Sequence, residues 1–266
     1  EVPGELVALA LPRPGESLPP QGPERSDAEH QSYYQGVAAL DRGDLEGLQH
    51  LLKAAPELAK ARGYLDKDYE YPALRGATLL HHVAGNPLRA ALPEHILPIA
   101  AALLEAGADP NALTLDTLTT LELVLNSAQL DWAKLKVEMV VLLLEAGADP
   151  NHKGGKLLWS LLTGHQLEMA KLLVEKGAVV DLRFAAGMGR PDLMASFFDQ
   201  SGQLKPDALR LYHPRPERIQ ASQDLLDEAL HYAAYSGSRE AVEFLLARGA
   251  NIDGIVVGFW RRDTGS

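Results

Sequence analysis

The sequence contains no cysteine among its 266 residues. This absence excludes disulfides, thiolate metal sites and thiol nucleophiles, and it leaves the redox compartment open. Aromatic residues make up only 6% of the chain, and no apolar run exceeds a few residues. A membrane-spanning helix needs about 20 such residues. We therefore expect a soluble protein with no membrane insertion.

The sequence also lacks a basic run and the common catalytic motifs. Acidic residues outnumber basic ones by 36 to 25, for a net charge of -11. That charge repels phosphate backbones unless a basic face is segregated, so we predict no nucleic-acid partner. The patterns S-x-x-K, G-x-S-x-G and H-E-x-x-H do not occur. We predict no enzymatic activity, no cofactor and no metal.

What the sequence does contain is an internal repeat. Leu103 to Asn111 reads LLEAGADPN, and Leu143 to Asn151 repeats the same nine letters. Looser copies lie at Leu173 to Asp181 and Leu245 to Asp253. The two identical copies begin forty residues apart. Similarity repeated at this spacing indicates a chain built from one small unit stacked on copies of itself.

The segment Glu228 to Asp253 gives the best view of this unit. Its small apolar residues recur at helical spacing in two blocks, which predicts two short antiparallel helices. Gly237 between the blocks and Gly249 after them are predicted helix stops, because glycine takes positive φ without steric penalty. A hairpin of this size has too little core to fold alone.

The unit resembles an ankyrin repeat. Thr78 to Ala84 (TLLHHVA) is similar to the family pattern T-P-L-H-x-A-A, and Gly107 to Asn111 and Gly147 to Asn151 match its G-A-D-x-N ending. Tetratricopeptide repeats lack this glycine ending and are rejected. The resemblance covers about residues 30–266, is closest to bacterial-type sequences, and implies an all-α solenoid of about six helix-turn-helix units with finger loops.

We divide the chain into a Pro-rich N-terminal arm, 1–26, and a repeat domain, 27–266. Repeats 1 to 6 are predicted at about 30–62, 75–111, 115–151, 154–181, 182–202 and 224–253, followed by a partial finger at 254–266. Repeat 1 is diverged and serves as the N-terminal cap. Repeat 6 is predicted to leave Val242, Phe244, Leu245 and Leu246 uncovered, so the C-terminal end is uncapped.

The register locates insertions. From the pattern histidine to the closing glycine the family unit spans eighteen residues, as from His231 to Gly249. Repeats 2 and 3 are longer, which predicts insertions at 86–95 and 126–136 between their helices. A third insertion, 203–223, separates repeats 5 and 6. In repeat 5 the position of the pattern histidine is assigned to Arg183. Arg183 follows Gly177, the closing glycine of repeat 4, by only six residues, so no finger loop is predicted there.

The resemblance implies non-enzymatic protein recognition through a concave face formed by fingers and first helices, with an unidentified protein as partner. By register, the partner-binding positions are Arg75, Asn86, Asp116, Asn126, His152, Lys153, Thr163, Asp224 and Tyr235. The finger aromatics Tyr64, Tyr69, Tyr71, Phe259 and Trp260 are either further contacts or packed on neighbouring fingers.

Other chemical readings of the residues are weaker. The resemblance implies that His81 ties neighbouring fingers together and that His82 is a variable position beside it. His213 is predicted to be a loop residue, because no carboxylate lies at ligand spacing nearby in the sequence. The acidic residues at 66–70 do not fit a calcium loop, and Gly187-Met188-Gly189 is predicted to be a turn between helices.

Two alternatives remain open. One is a structural role, in which homo-oligomers stack end to end through the exposed C-terminal repeat. The other is an enzyme or ligand site built by the insertions at 86–95 and 203–223 around His213. We expect a cytoplasmic protein, or an exported one if a signal preceded Glu1. We also expect the natural chain to continue past Ser266, or this end to pack against another chain.

Overall fold

A computed structural model describes residues 27–63, 74–85, 92–206, 208, 210–214, 216 and 221–254. The predictions for the Pro-rich arm, Asn86, the acidic and aromatic residues at 64–71 and the final finger from 255 onward lie outside the described residues. The chain is mostly helical, at 59%. It divides into two compact halves, residues 1–139 and 140–266, which are taken in turn.

The N-terminal half consists of short helices and one small sheet. Its elements are α1 (Asp27–Asp41), α2 (Leu45–Ala54), a 3-10 helix (Pro56–Lys60), β1 (Arg62–Gly63), β2 (Ala77–Thr78), a second 3-10 helix (Leu79–Ala84), α3 (Ile96–Glu105), α4 (Thr120–Leu125) and α5 (Ala128–Trp132). Helix α6 (Lys136–Glu145) contains the boundary between the halves. The all-α prediction is confirmed, with a two-residue antiparallel ladder between β1 and β2 as the one sheet among the described residues.

Repeat 1 folds as its sequence predicts. The predicted helices at Tyr34 to Leu40 and Leu45 to Lys53 are confirmed, although the first extends over the whole of α1. Asp44 caps α2 by accepting a hydrogen bond from the amide of Gly47 at 2.8 Å. Such a cap satisfies a backbone donor that the helix leaves unpaired.

Repeat 3 carries the insertion predicted at 126–136, and the structure fills it with α5. Ser127 caps α5 by accepting from the amide of Leu130 at 3.1 Å, and the Leu130 side chain is fully buried. The buried ammonium of Lys136 donates to the carbonyl of Leu125 at 3.0 Å and to Asp131 at 2.6 Å. These contacts fasten the insertion to the repeat that carries it.

The C-terminal half contains three further helix pairs. They are α7 (His152–Thr163) with α8 (Leu167–Glu175), α9 (Leu182–Gly187) with α10 (Pro191–Ala195), and α11 (Ser222–Tyr235) with α12 (Arg239–Leu246). Gly237 and Gly249 have φ of +75° and +89°, so both predicted helix stops are confirmed. The turn at Gly189, with φ of +64°, is confirmed as well.

The core of repeats 5 and 6 corrects one prediction about the last helix. Leu245 is fully buried, and Val242 and Phe244 pack against the same core. The Phe244 ring lies edge-on to Phe198, with 5.6 Å between centroids, and the Arg248 guanidinium covers it at 3.5 Å. Only Leu246, at 39%, stays exposed among the four residues predicted to be uncovered. Within the described residues, no helix is long and apolar enough to cross a membrane.

Candidate functional site

In the N-terminal half, the finger of repeat 3, which is the loop before α4, lies against Arg75 at the start of repeat 2. The amide of Leu115 donates to the carbonyl of Arg75 at 2.8 Å, and the Arg75 guanidinium contacts the Asp116 carboxylate at 3.2 Å. Arg62 donates to the carbonyls of Gly76, at 2.8 Å, and Leu113. The structure therefore brings together two predicted partner-binding residues, Arg75 and Asp116, beside the half-exposed side chain of Leu115.

His81 links its own helix to the next finger, as the resemblance implies. Its Nδ1 accepts from the amide of Thr78 at 3.0 Å, which leaves Nε2 to donate to the carbonyl of Ala112 at 3.0 Å. Burial lowers the pKa of His81 from 6.5 to about 4. The imidazole is therefore neutral at neutral pH and serves as a structural connector.

His82, predicted as the variable position beside His81, is buried. Its side chain is 3% exposed, and its Nε2 lies 2.9 Å from the hydroxyl of Tyr33. Burial, and next the charge of His81, lower the pKa of His82 from 6.5 to about 3. The T-L-L-H-H segment thus contributes two neutral histidines to the interior.

Asn126, another predicted contact, lies exposed at the end of α4 and donates from its side chain to the carbonyl of Glu122 at 2.8 Å. The α5 insertion that follows carries a residue that sequence reasoning missed. Trp132 is 74% exposed, and Val137 is 53% exposed. Exposed tryptophans are frequent anchors in protein interfaces. The sequence did contain a signal for this contact, because Trp132 lies inside an insertion that standard repeats lack.

In the C-terminal half, His152 and Lys153 lie at the start of α7, where the backbone is irregular. Lys153, Gly154 and Gly155 all have positive φ, at 54°, 64° and 89°. A left-handed conformation at lysine is uncommon and costs energy that glycine avoids. Both predicted residues are half-buried and lie on a tight loop that leads into the helix.

Thr163 and Tyr235, predicted from different repeats, meet directly. The Tyr235 hydroxyl donates to the carbonyl of Thr163 at 3.0 Å. The Tyr235 ring stacks on His165 with 4.3 Å between centroids, and His231 lies on a near-parallel plane at 6.4 Å. This places an aromatic stack at the carboxyl ends of α7 and α11.

Asp224 has a structural role that the register did not anticipate. Helix α11 begins at Ser222, several residues before the family pattern would start it, so Asp224 lies in the first helical turn. Its carboxylate accepts from the amide of Ala221 at 2.7 Å, as an acidic residue at this position commonly does. Its predicted role in partner binding stays a prediction.

The insertion between repeats 5 and 6 lies against the start of repeat 5, where the sequence predicts no finger. The amide of Leu211 donates to Asp181 at 3.0 Å, and the amide of Tyr212 donates to the carbonyl of Gly154 at 2.7 Å. Arg183 donates to the carbonyls of Leu211 and Tyr212 at 3.0 and 3.2 Å. These contacts resemble the bond from His81 to the finger carbonyl of Ala112.

The N-cap corrects the register of repeat 5 by one residue. Asp181 accepts from the amide of Phe184 at 3.1 Å, as Thr119 does from Glu122 in repeat 3. Phe184, and not Arg183, therefore occupies the pattern position. The distance from Phe184 to Gly202 is eighteen residues, the standard family value.

A buried charged cluster lies beneath this segment, and the sequence did not predict it. Asp181 and Arg183 are both 0% exposed and are joined by hydrogen bonds from Nε, at 2.9 Å, and Nη2. Arg183 also lies 3.5 Å from Glu228, and Glu228 lies 2.8 Å from Nε2 of His213. His213 therefore does have a carboxylate partner, which the fold supplies from a distant part of the sequence.

The electrostatics of the cluster follow from burial and pairing. Burial acts to lower the pKa of Arg183, but the charge and hydrogen bond of Asp181 raise it above its ordinary value. Burial raises the pKa of Tyr232, whose ring lies beside Phe184. No group of three or more potential ligands is arranged to hold a metal ion in the part of the chain that the structure describes.

One segment of the chain is similar to a known protein family. The sequence profile of the ankyrin repeat matches residues 227–255, a segment that contains most of α11 and the whole of α12. No curated protein matches. Among solved structures, the ankyrin repeat domain of human ASB11 is similar at 20% identity, over 86% of each chain, with a TM-score of 0.40. Residues 227–255 of the chain are therefore assigned to the ankyrin repeat family.

Proposed function

We propose that this protein is a non-enzymatic recognition module that binds a partner protein through the face made by its fingers and the ends of its first helices. The supporting observation is that predicted contact residues from different repeats lie side by side. Arg75 contacts Asp116 in the N-terminal half, and Tyr235 contacts Thr163 in the C-terminal half. Each half therefore carries its own candidate patch.

The chemistry of the two patches suits protein binding. Tyrosine and arginine are enriched among residues that dominate interface energies. The Arg75 and Asp116 side chains are 19% and 33% exposed, so the pair is held in place and still reachable. Groups that are fixed before binding lose less conformational entropy in the complex.

The test begins with affinity capture of the partner from the source cell extract, followed by calorimetry on the purified pair. Alanine at Asp116, Lys153 and Tyr235 together should weaken binding at least tenfold. Alanine at Glu168 and Lys171, an exposed ion pair on α8, is the matched control and should leave affinity unchanged. Equal affinities for both variants would refute the assignment of this face.

Trp132 offers a separate contact on the α5 insertion, and it is tested in the same assay. Trp132→Ala should leave affinity unchanged if the fingers alone bind the partner. A tenfold loss from this single change, with the triple variant unaffected, would move the binding surface to the insertion. The two surfaces are therefore distinguished by one set of measurements.

A second candidate is self-association through repeat 6, which the exposure of Leu246 and Ile252 favours. Large exposed apolar patches mark interaction sites, and in this candidate the two side chains belong to such a patch at the end of repeat 6. Light scattering over a hundredfold concentration range should then show a rising mass, and Leu246→Lys should abolish the rise. A constant monomeric mass would remove this candidate.

An enzymatic site at His213 has weaker support, because the groups that converge there bond to one another. His213 contacts Glu228, and Arg183 is occupied by Asp181 and two backbone carbonyls.

The bacterial origin and the cytoplasmic location stay predictions.

A further inference from the structure

We propose that the C-terminal half contains a second binding site, for a non-helical peptide segment with an aromatic residue followed by a basic one. The chain's own residues 211–213 occupy this site in the structure. A partner peptide of the same chemistry would replace them. The proposal does not depend on the finger patches described above.

The site recognises peptide backbone. Both backbone polar groups of Leu211 and both of Tyr212 are bonded, to Asp181, Arg183 and the carbonyl of Gly154. A helical segment would use these groups in its own hydrogen bonds, so only a non-helical segment can offer them. Recognition through the backbone accepts many sequences, and selectivity is left to the side chains.

The side-chain contacts define the preferred sequence. The Tyr212 ring lies edge-on to Trp159, with 5.5 Å between centroids, and the Lys156 ammonium is 6.0 Å from its centre. An aromatic residue at this position gains from both contacts. The next residue, His213, places Nε2 at 2.8 Å from the nearly buried Glu228. A buried carboxylate requires a donor there, which histidine, arginine or lysine provides.

Asp181 and Arg183, which hold the backbone of the segment, are also bonded to each other and to groups outside it. Asp181 is fixed by the amide of Phe184 and by two hydrogen bonds from Arg183. Both charged side chains are completely buried, whereas Leu211 and Tyr212 are half-buried and the His213 side chain is 13% exposed. The segment also belongs to an insertion that the standard repeat lacks. It is therefore the part of this contact that can be exchanged.

Tethering makes the resident segment a competitor. Residues 211–213 are covalently joined to the site they occupy, so they act at an effective concentration on the order of millimolar. A free peptide of equal intrinsic affinity therefore binds the intact chain only weakly. Removing the resident side chains should expose the site. The partner segment must bind more tightly than residues 211–213 do, which makes the insertion a built-in threshold for binding.

The experiment uses the full chain with Leu211, Tyr212 and His213 all replaced by glycine. The probe is a fluorescent peptide of residues 208–214, Ala-Leu-Arg-Leu-Tyr-His-Pro. We expect anisotropy titrations to show at least tenfold tighter binding to the triple variant than to the wild type. Probe peptides with alanine in place of the tyrosine or of the histidine should each bind at least tenfold more weakly.

Every outcome decides the question. A folded triple variant that does not bind the probe overturns the proposal, as does equal binding of the alanine probes. If the variant fails to fold, recovery of its circular dichroism when the probe is added supports the site, and failure to recover overturns it. Hydrogen exchange on the wild type gives an independent check. The amides of Leu211 and Tyr212 should exchange faster than those of buried Ala229 and Ala233 in α11. Equal protection would show that the segment does not leave the site, which would overturn the proposal.

Discussion

The hydroxyl of Tyr33 lies 2.9 Å from Nε2 of His82 and donates its hydrogen to the carbonyl of Ala77 at 2.9 Å. Because the hydroxyl has one hydrogen, it accepts from His82, whose Nε2 must carry a proton. The neutral imidazole of His82, with its proton on Nε2, is sufficient for both hydrogen bonds. A charged His82 in the same place would be buried beside His81, where burial and the second ring both disfavour the charge.

The N-terminal half should therefore lose stability in mild acid. The pKa values of His81 and His82 are lowered from 6.5 to about 4 and about 3, so the unfolded chain binds more protons below pH 6.5. Stability is complete above pH 6.5 and falls as the pH drops toward those values. From pH 7 to pH 5 the loss is roughly 2 kcal/mol per histidine, measurable by urea unfolding.

Two variants separate this effect from general acid sensitivity. His82→Gln should remove about half of the pH dependence between pH 7 and pH 5, because His81 still titrates. His50→Gln, at an exposed position on α2, should leave the dependence as it is. The same slope in all three proteins would show that the buried histidines do not cause it.

The buried ion pair of repeat 5 has a matched counterpart on the surface. Arg183 with Asp181 and Arg190 with Asp192 share a two-residue spacing, but only the first pair is fully buried. Arg183→Met leaves a buried carboxylate without its cation and should cost about 3–5 kcal/mol. Arg190→Met removes a solvent-screened surface pair and should cost far less. Thermal and urea unfolding will compare them, and similar losses would contradict the burial argument.

The capping box of repeat 3 should contribute measurably to stability. Thr119 accepts from the amide of Glu122 at 3.1 Å, and the Glu122 carboxylate accepts from the amide of Thr119 at 3.0 Å. Thr119→Ala should cost about 1–2 kcal/mol in urea unfolding. Thr119→Ser retains the hydroxyl and should recover most of the loss. If serine is as destabilising as alanine, packing of the methyl group and not the cap is responsible.

Truncation of the two described tryptophans should change the free energy of unfolding by very different amounts. Trp132→Ala removes a ring that is 74% exposed and should change the free energy of unfolding by less than about 0.5 kcal/mol. Trp159→Ala removes a half-buried ring in edge contact with Tyr212 and should cost about 2 kcal/mol or more. Equal losses would indicate that Trp132 has a structural role.

Local signals in the sequence predicted where helices end. Glycines at 237 and 249 end helices because a left-handed residue is required there, and that requirement is visible in the sequence. The same holds for the insertion at 126–136, since the excess length had to lie between two helices of fixed register. The register itself failed by one residue at Arg183, because repeat 5 lacks the finger from which the others are aligned.

The tertiary structure decided what the charged and aromatic residues do. Glu228 belongs to α11 and His213 to the preceding insertion, and only folding brings their side chains to 2.8 Å. The sequence predicted neither the burial of His82 nor that of Arg183, since nothing nearby in the sequence reports the burial that neighbouring repeats impose. Repeat identity is a local property of periodicity and turns, so the sequence determined it. Burial and pairing depend on contacts between distant segments, so only the fold could determine them.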